Sequence, residues 1–146
     1  MNNNNISIGN AGEYFVAGEL ERRGYTVAVP MSNTKDFDIL AINRDSLNQY
    51  AIQVKTTRKN EKSWTLSQKN ETLIKDNIIY VFVTLNNLEI PEYHIVPSKI
   101  VAETISKSHK EWLETLGING QPHNDNPIRK FNDYDDKYLN NWSCLI

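Results

Sequence analysis

Three polar residues on two neighbouring hydrophobic runs have the types and the spacing to do chemistry. Gln53 and Lys55 lie two positions apart in the run YAIQVKTT, and Asp38 precedes the apolar residues of the run DFDILAIN. Residues at i and i+2 of a β-strand point to the same face of a sheet. If the two runs pair as a hairpin, a carboxylate, an amide oxygen and an ammonium group converge on one face.

A divalent cation would account for such a cluster, because buried charges persist only when they are paired or hold a metal. Mg²⁺ binds one or two carboxylates together with carbonyl oxygens and water. Asp38 would be the main ligand, joined by the side-chain oxygen of Gln53 and the backbone carbonyl of Val54. Lys55 would polarise the attacking water or stabilise the charge that builds on a cleaved phosphate. The alternative is a half-buried salt bridge between Asp38 and Lys55.

Two further carboxylates are candidates for the same cluster. Glu13 lies on the first predicted helix and reaches the cluster if that helix packs on the face of Gln53 and Lys55. In its alternative role, Glu13 forms a capping box with Asn10, three residues earlier. Asp36 either supplies additional negative charge or lies outside its strand and caps a turn.

The elements that must position these residues follow from hydrophobic periodicity and turn residues. We predict helices at 10–23, 67–76 and 97–117, a turn at 31–35, a loop at 58–64, and strands at 25–30, 36–43, 49–57, 77–85 and 92–97. This order favours an α/β (α+β) fold, in which helices pack on a mixed sheet. The segment after the last helix has no clear period. We expect an irregular C-terminal extension there, anchored by Phe131, Tyr138, Trp142 and Leu145.

Length and composition are those of one globular domain, with 146 residues of which 39% are hydrophobic and 23% charged. We expect a core at residues 1–117, with residues 118–146 packed on the same domain. No apolar run approaches the ~18 residues that span a bilayer, and no signal core begins the chain. We therefore expect a cytoplasmic protein without a membrane partner. The single cysteine, Cys144, excludes an internal disulfide and a cysteine-cluster metal site.

Positive charge is concentrated in the segment that begins with the strand of Lys55. Residues 51–75 contain 6 Lys/Arg and 2 Asp/Glu, whereas the whole chain has a net charge of −2. A local excess of this kind suits contact with phosphate groups. Arg58, Lys59 and Lys62 are the candidates for that contact, and the alternative is that they are solvated loop charges.

The motifs together resemble the PD-(D/E)xK nuclease superfamily. The residues that carry the resemblance are GE on the first helix, DFDILA on one strand and IQVKTT on the next. The resemblance implies a restriction-endonuclease-like αβββαβ core, with Asp38 as the first acid, Gln53 in place of the second acid, and Lys55 as the lysine. Glu13 matches the helical acid. Gln68 matches a polar residue that faces the site from the second helix, and this makes it a candidate for nucleic-acid contact.

The resemblance covers about residues 9–85 and implies a metal-dependent DNA endonuclease that uses Mg²⁺ or Mn²⁺. The sequence QVKT is similar to a branch that holds intron-encoded homing endonucleases and small uncharacterised bacterial proteins, and this branch includes active nucleases. A homodimer is implied where both strands are cut, since that takes two sites. The alternatives are a catalytically inactive module that binds nucleic acid or a protein partner, which the neutral Gln53 favours, and a subunit of a larger defence or mobile-element system.

Overall fold

A five-stranded mixed sheet forms the centre of the fold, and a two-stranded ribbon packs over one of its faces. The computed structural model describes residues 5–31 and 36–146. The elements in chain order are α1 (Asn5–Arg22), β1 (Tyr25–Ala28), β2 (Ile39–Asn43), β3 (Gln49–Thr57), β4 (Ser63–Ser67), a 3₁₀ turn (Gln68–Glu71), β5 (Ile78–Thr84), β6 (Glu92–Pro97), α2 (Ser98–Glu114), β7 (Ile128–Asn132) and a second 3₁₀ turn (Trp142–Cys144). Except for Met31, the turn predicted at 31–35 lies outside the described residues. Within those residues, no helix is long and apolar enough to cross a membrane.

The sheet has the strand order β1-β2-β3-β5-β6. β1, β2 and β3 are antiparallel neighbours, β3 and β5 run parallel, and β5 and β6 are again antiparallel. Parallel neighbours need a crossover connection, so the chain leaves the sheet after β3 and forms β4 and the first 3₁₀ turn before it returns as β5. The ribbon is β4 paired antiparallel with β7. The predicted α/β (α+β) mixed sheet is confirmed.

One face of the sheet is covered by α1. Because side chains alternate along a strand, Ile52 and Val54 of β3 point to this face. They form a buried apolar cluster with Val16 and Leu20 of the helix. The packing of these apolar side chains, and not any terminal capping residue, fixes the position of α1 on the sheet.

The opposite face is covered by the ribbon and by α2. Its buried cluster includes residues from β5, both ribbon strands and α2, among them Trp64, Phe82, Val101, Ile105 and Phe131. Ala51 of β3 packs against this cluster. Gln53 and Lys55, two and four residues after Ala51, therefore belong to the ribbon face and not to the face that α1 covers.

Helix α1 is longer than predicted, since it begins at Asn5 and not at residue 10. Asn and Gly cost a helix interior no more than about 1 kcal/mol each relative to Ala, so the local signal at Asn10 does not stop the helix. Asn10 lies inside α1, and the alternative role of Glu13 as its capping-box partner is therefore wrong.

The predicted hairpin of β2 and β3 is confirmed, with Ile39 opposite Ile52. β3 has the predicted bounds, whereas β2 begins three residues later than predicted. Asp36 and Asp38 therefore precede the strand. The backbone N–H of Asp38 still donates to the carbonyl of Ile52 at 2.8 Å, which continues the ladder by one residue.

The predicted second helix at 67–76 is wrong, since only one 3₁₀ turn forms there. Asn70 is 4% exposed and its side-chain oxygen accepts a hydrogen bond from the backbone N–H of Ser67 at 3.0 Å. Its amide nitrogen donates to the hydroxyl of Tyr80 at 2.7 Å. Polar side chains that bond to nearby backbone compete with helix formation. The buried amide therefore holds the segment as a single turn against β5.

The ribbon joins two segments that we expected to be irregular, the loop at 58–64 and the extension at 118–146. Both expectations are wrong in part, because β4 begins inside the loop and β7 lies within the extension. Trp64 and Phe131 lie opposite each other across the ribbon, and both are buried. Arg129 occupies another inward position of β7 and is buried as well. A charged residue at that position breaks the apolar alternation that indicates a half-buried strand.

The extension packs against the rest of the chain through its predicted anchors, which are buried or half-buried in the two clusters: Phe131, Tyr138, Trp142 and Leu145. A buried pair adds to this contact, since Nδ1 of His94 on β6 lies 2.6 Å from a carboxylate oxygen of Asp133. We propose on these contacts that residues 118–146 fold as one unit with residues 1–117. One cooperative unfolding transition would support the proposal, and two separate transitions would contradict it.

Gly12 allows α1 to lie directly against β3. A Cβ atom at Gly12 would lie 1.9 Å from Oγ1 and 2.9 Å from Cβ of Thr56. Gly12→Ala should lower the free energy of unfolding by about 1–3 kcal/mol, as other overpacked cores do. Urea denaturation measures this change.

Gly18→Ala in the same helix is the matched control, because a Cβ there meets nothing within 4 Å. We expect it to raise the free energy of unfolding by about 0.5–1 kcal/mol through helix propensity. A Gly12→Ala variant as stable as Gly18→Ala would contradict the close approach of α1 to β3.

Candidate active site

The candidate active site lies where β2 begins beside β3, and Asp38 is at its centre. A carboxylate oxygen of Asp38 accepts a hydrogen bond from the backbone N–H of Val54 at 2.7 Å. The N–H of Asp38 donates to Ile52, so β3 holds this residue through both its backbone and its side chain. The carboxylate is thereby fixed at the point where the two strands separate.

Gln53 and Val54 present oxygen atoms near this carboxylate. The side chain of Gln53 is 9% exposed, and its amide nitrogen donates to the backbone carbonyl of Asp36. This bond uses the amide nitrogen of Gln53, and the amide oxygen remains able to accept a hydrogen bond or to bind a cation. The N–H and C=O of one strand residue point to the same side of the strand, so the carbonyl of Val54 is directed to the side of Asp38.

Lys55 is half-buried on the ribbon face, next to Gln53. No ion pair within 4.0 Å joins it to a carboxylate of the described residues, so the salt bridge with Asp38, our alternative interpretation, does not form. Lys55 lines a cavity of about 660 Å³ between the end of β3 and the ribbon. An ammonium group without a paired carboxylate at the wall of a cavity is available to a ligand.

Glu13 approaches Asp38 from the other side of the sheet. α1 does not pack on the face of Gln53 and Lys55, so that expected route to the cluster is wrong. Burial raises the pKa of Glu13 above its ordinary value of 4.5, and the charge of Asp38 raises this pKa further. The two carboxylates are thus close enough to repel each other, and Gly12 permits this approach.

These donors fit a hard divalent cation. In the described part of the chain, no three His, Cys, Asp or Glu side chains form a cluster that could hold a metal. Two carboxylates, Glu13 and Asp38, are nevertheless accompanied by the oxygens of Gln53 and Val54. Mg²⁺ commonly takes one or two protein carboxylates and completes its octahedron with water or phosphate oxygens. The set lacks the nitrogen and sulfur ligands that Zn²⁺ prefers.

The predicted nucleic-acid contacts lie in several places. Arg58 and Lys59 are exposed in the turn after β3. Lys62 lines the same cavity as Lys55, but its ammonium nitrogen lies 2.6 and 2.7 Å from the two carboxylate oxygens of Asp136. Gln68 is exposed in the 3₁₀ turn at the far end of β4, and it does not line this cavity.

Two residues of the extension, Lys130 and Tyr134, line the cavity together with Lys55. The sequence does not indicate a site role for either residue, because more than 70 residues separate them from β3 and Tyr134 lies among three aspartates. Exposed and buried residues alternate along residues 128–132 in the structure, but the buried Arg129 is charged and Ile128 is exposed, so the sequence shows no matching apolar alternation.

A family model described as PD-(D/E)XK endonuclease matches residues 3–87, more than half of the chain. The chain belongs to the PD-(D/E)XK endonuclease family. This match confirms the resemblance that the motifs around Glu13, Asp38 and Lys55 indicated. A comparison with curated proteins finds no match.

Solved structures share the fold at low sequence identity. The bacterial homing endonuclease I-Ssp6803I has 14% identity and a TM-score of 0.56, over 97% of this chain and 91% of that protein. Hjc, a Holliday junction resolvase from the archaeal hyperthermophile Archaeoglobus fulgidus, has 15% identity and a TM-score of 0.49, over 86% of this chain and 84% of that protein. The first of these matches shows a restriction-endonuclease-like fold.

Glu13→Gln tests the raised pKa of Glu13, which is caused first by burial and second by the charge of Asp38. The folded protein holds the Glu13 proton more tightly than the unfolded chain does, so the contribution of Glu13 to stability is lost as the pH rises above 4.5. The variant should lose this part of the pH dependence and melt at a higher temperature than the wild type at neutral pH without metal. Thermal melts from acidic to neutral pH measure both effects.

Glu114→Gln, at the end of α2, is the control and should keep the wild-type pH dependence. Mn²⁺ should raise the Tm of the wild type, since it binds only the folded state, and it should do so less for Glu13→Gln. An unchanged pH dependence in Glu13→Gln would contradict the raised pKa of Glu13.

Proposed function

We propose that this chain is a divalent-metal-dependent DNA endonuclease that hydrolyses phosphodiester bonds. The observation that carries the proposal is the arrangement at the start of β2. The carboxylate of Asp38, held by the Val54 N–H, lies between Glu13 on one side of the sheet and Gln53 on the other. Lys55 follows Gln53 on the same face. Membership of an endonuclease family supports this reading of the geometry.

Glu13, Asp38, the side-chain oxygen of Gln53 and the carbonyl of Val54 would hold Mg²⁺ or Mn²⁺. When bound, the cation supplies a water of lowered pKa and neutralises charge on the phosphate. A neutral amide in place of the second acid leaves the site with two negative charges from the protein. The raised pKa of Glu13 then makes cation binding depend on pH, because the proton on Glu13 must leave first.

Lys55 would act on the phosphate or on the attacking water. Its ammonium group carries a fixed positive charge in a half-buried position, where an electrostatic interaction is stronger than in bulk water. It would stabilise the negative charge that develops on the cleaved phosphate, or orient and polarise the water. Its place on the ribbon face means that the substrate approaches from the cavity side.

The exposed turn after β3 would contact phosphates beside the cleaved bond through Arg58 and Lys59. Lys62 would add positive potential from the cavity wall, although Asp136 neutralises part of it. Gln68 would extend the contact beyond β4.

A homodimer would bring two such sites to the two strands of a duplex, as cleavage of both strands requires.

A catalytically inactive module that binds nucleic acid or a protein partner is the second candidate function. The observation that favours it is Gln53, which removes one negative charge from the position of the second acid. Such a module would keep the basic turn after β3 and its salt-dependent affinity for nucleic acid. It would have no requirement for the ammonium group of Lys55.

Lys55→Ala separates the two candidates. In an endonuclease this substitution should reduce cleavage by about 10²–10³-fold, the usual effect of removing one group that stabilises transition-state charge, and DNA binding should persist. Cleavage of plasmid DNA with Mg²⁺ or Mn²⁺ and fluorescence anisotropy with labelled DNA measure the two properties.

Lys99→Ala is the matched control, because it removes a lysine on the exposed surface of α2, far from the proposed site in the fold, and should leave the cleavage rate unchanged. Equal cleavage by Lys55→Ala and the wild type would contradict the catalytic role of Lys55. A wild type that binds DNA but cuts nothing with either metal would establish the inactive module.

A further inference from the structure

The cavity of about 660 Å³ beside Lys55 has the ribbon as its second wall. One wall is the end of β3, with Lys55 and Thr57, and the other carries Thr65, Lys130 and Tyr134. Pockets that enclose one small molecule have volumes of about 300–1,000 Å³. The cavity therefore has room for one or two nucleotides.

The outward face of the ribbon is built to meet a polar ligand. Thr65 and Lys130 lie directly opposite each other across the two strands, and Ser63 faces Asn132 in the same way. These side chains, two hydroxyls, one amide and one ammonium, form a polar surface at the end of the ribbon where β4 begins, whereas Ile128 is exposed at the other end. This surface faces the cavity, because Ser63, Thr65 and Lys130 all line it.

The inward side of the ribbon holds this surface rigidly. The indole N–H of Trp64 donates to the carbonyl of Val83 on β5 at 3.0 Å. Buried Arg129 pairs with Glu71 and donates to the carbonyl of Asn126 at 2.6 Å. β4 is therefore bonded to β5, and β7 is bonded to the first 3₁₀ turn, which together hold the ribbon in place beside the sheet.

Charge and aromatic character indicate the kind of ligand. Of the three lysines that line the cavity, Lys62 is paired with Asp136. Lys55 and Lys130 make no ion pair within 4.0 Å to any described carboxylate, and they lie on opposite walls. Glu61 is the one carboxylate among the lining residues. Tyr134 is 67% exposed, so its ring is free to stack on a planar group.

We infer that this cavity holds the single-stranded nucleic acid adjoining the cleaved phosphate, with Lys130 on a phosphate and Tyr134 stacked on an unpaired base. Basic grooves lined by an aromatic side chain bind single strands in this way. The inference rests on the proposed function, which places the cleaved phosphate beside Lys55. It adds that the C-terminal extension supplies part of the substrate site and that the preferred substrate has an unpaired base there.

Fluorescence anisotropy without divalent metal tests the inference, with a labelled single-stranded DNA and the matching duplex as probes. Lys130→Ala should weaken binding of the single strand and reduce the slope of log K against log salt by about 0.7, the value for one lost phosphate contact. Tyr134→Ala should weaken single-strand binding about tenfold, with little change in slope. Tyr134→Phe keeps the ring and should bind as the wild type does. Lys99→Ala, on the exposed surface of α2, should change neither affinity nor slope.

The outcomes separate this inference from the proposed function. Suppose that Lys130→Ala and Tyr134→Ala keep the affinity and salt slope of the wild type, while Lys55→Ala loses cleavage. This result would overturn the inference and leave the proposed endonuclease activity intact. Equal losses on single strand and duplex in Tyr134→Ala would overturn the stacking on an unpaired base. A wild type that binds neither DNA would overturn the inference, and plasmid cleavage with Mg²⁺ or Mn²⁺ would then decide the proposed function separately.

Discussion

The hydrogen bond from the Val54 N–H to the Asp38 carboxylate is the interaction on which the site depends. β2 begins at Ile39, so the N–H of Val54 has no backbone partner on that side of β3. A buried N–H without an acceptor costs about 1–3 kcal/mol, and the carboxylate removes this cost at 2.7 Å. The same bond orients the carboxylate beside Gln53, so one contact ends the ladder and positions the main candidate ligand.

The second constraint is the close approach of α1 to β3. Gly12 has no side chain, and any Cβ at its position would collide with Thr56. This approach brings Glu13 near Asp38, where burial and the second negative charge raise its pKa. The raised pKa means that ionised Glu13 is less favourable in the folded protein than in the unfolded chain. A cation bound between Glu13 and Asp38 would offset this cost, which links the stability of α1 on the sheet to the proposed site.

The ribbon shows why part of the structure could not be predicted from the sequence. β3 was predicted with its observed bounds because its apolar residues flank Gln53 and Lys55 in a short local pattern. The strands of the ribbon pair across more than 60 residues, and buried Arg129 on β7 breaks the alternation that would have revealed that strand. Asn70 likewise holds a 3₁₀ turn through a local bond from Ser67 together with a bond to Tyr80 on β5, and the second bond exists only in the folded sheet. Local pattern therefore identified Asp38, Gln53 and Lys55, whereas Lys130 and Tyr134 depend on tertiary contacts.

The central claim is that Asp38 holds a divalent cation, and calorimetric titration with Mn²⁺ tests it most directly. The wild type and an Asp45→Asn control, in the turn between β2 and β3, should bind Mn²⁺ with the same affinity. Asp38→Asn keeps an acceptor for the Val54 N–H but removes the charge, and it should lose most of that binding. Equal Mn²⁺ binding in Asp38→Asn and the wild type, or no binding by the wild type at millimolar Mn²⁺, would contradict the account.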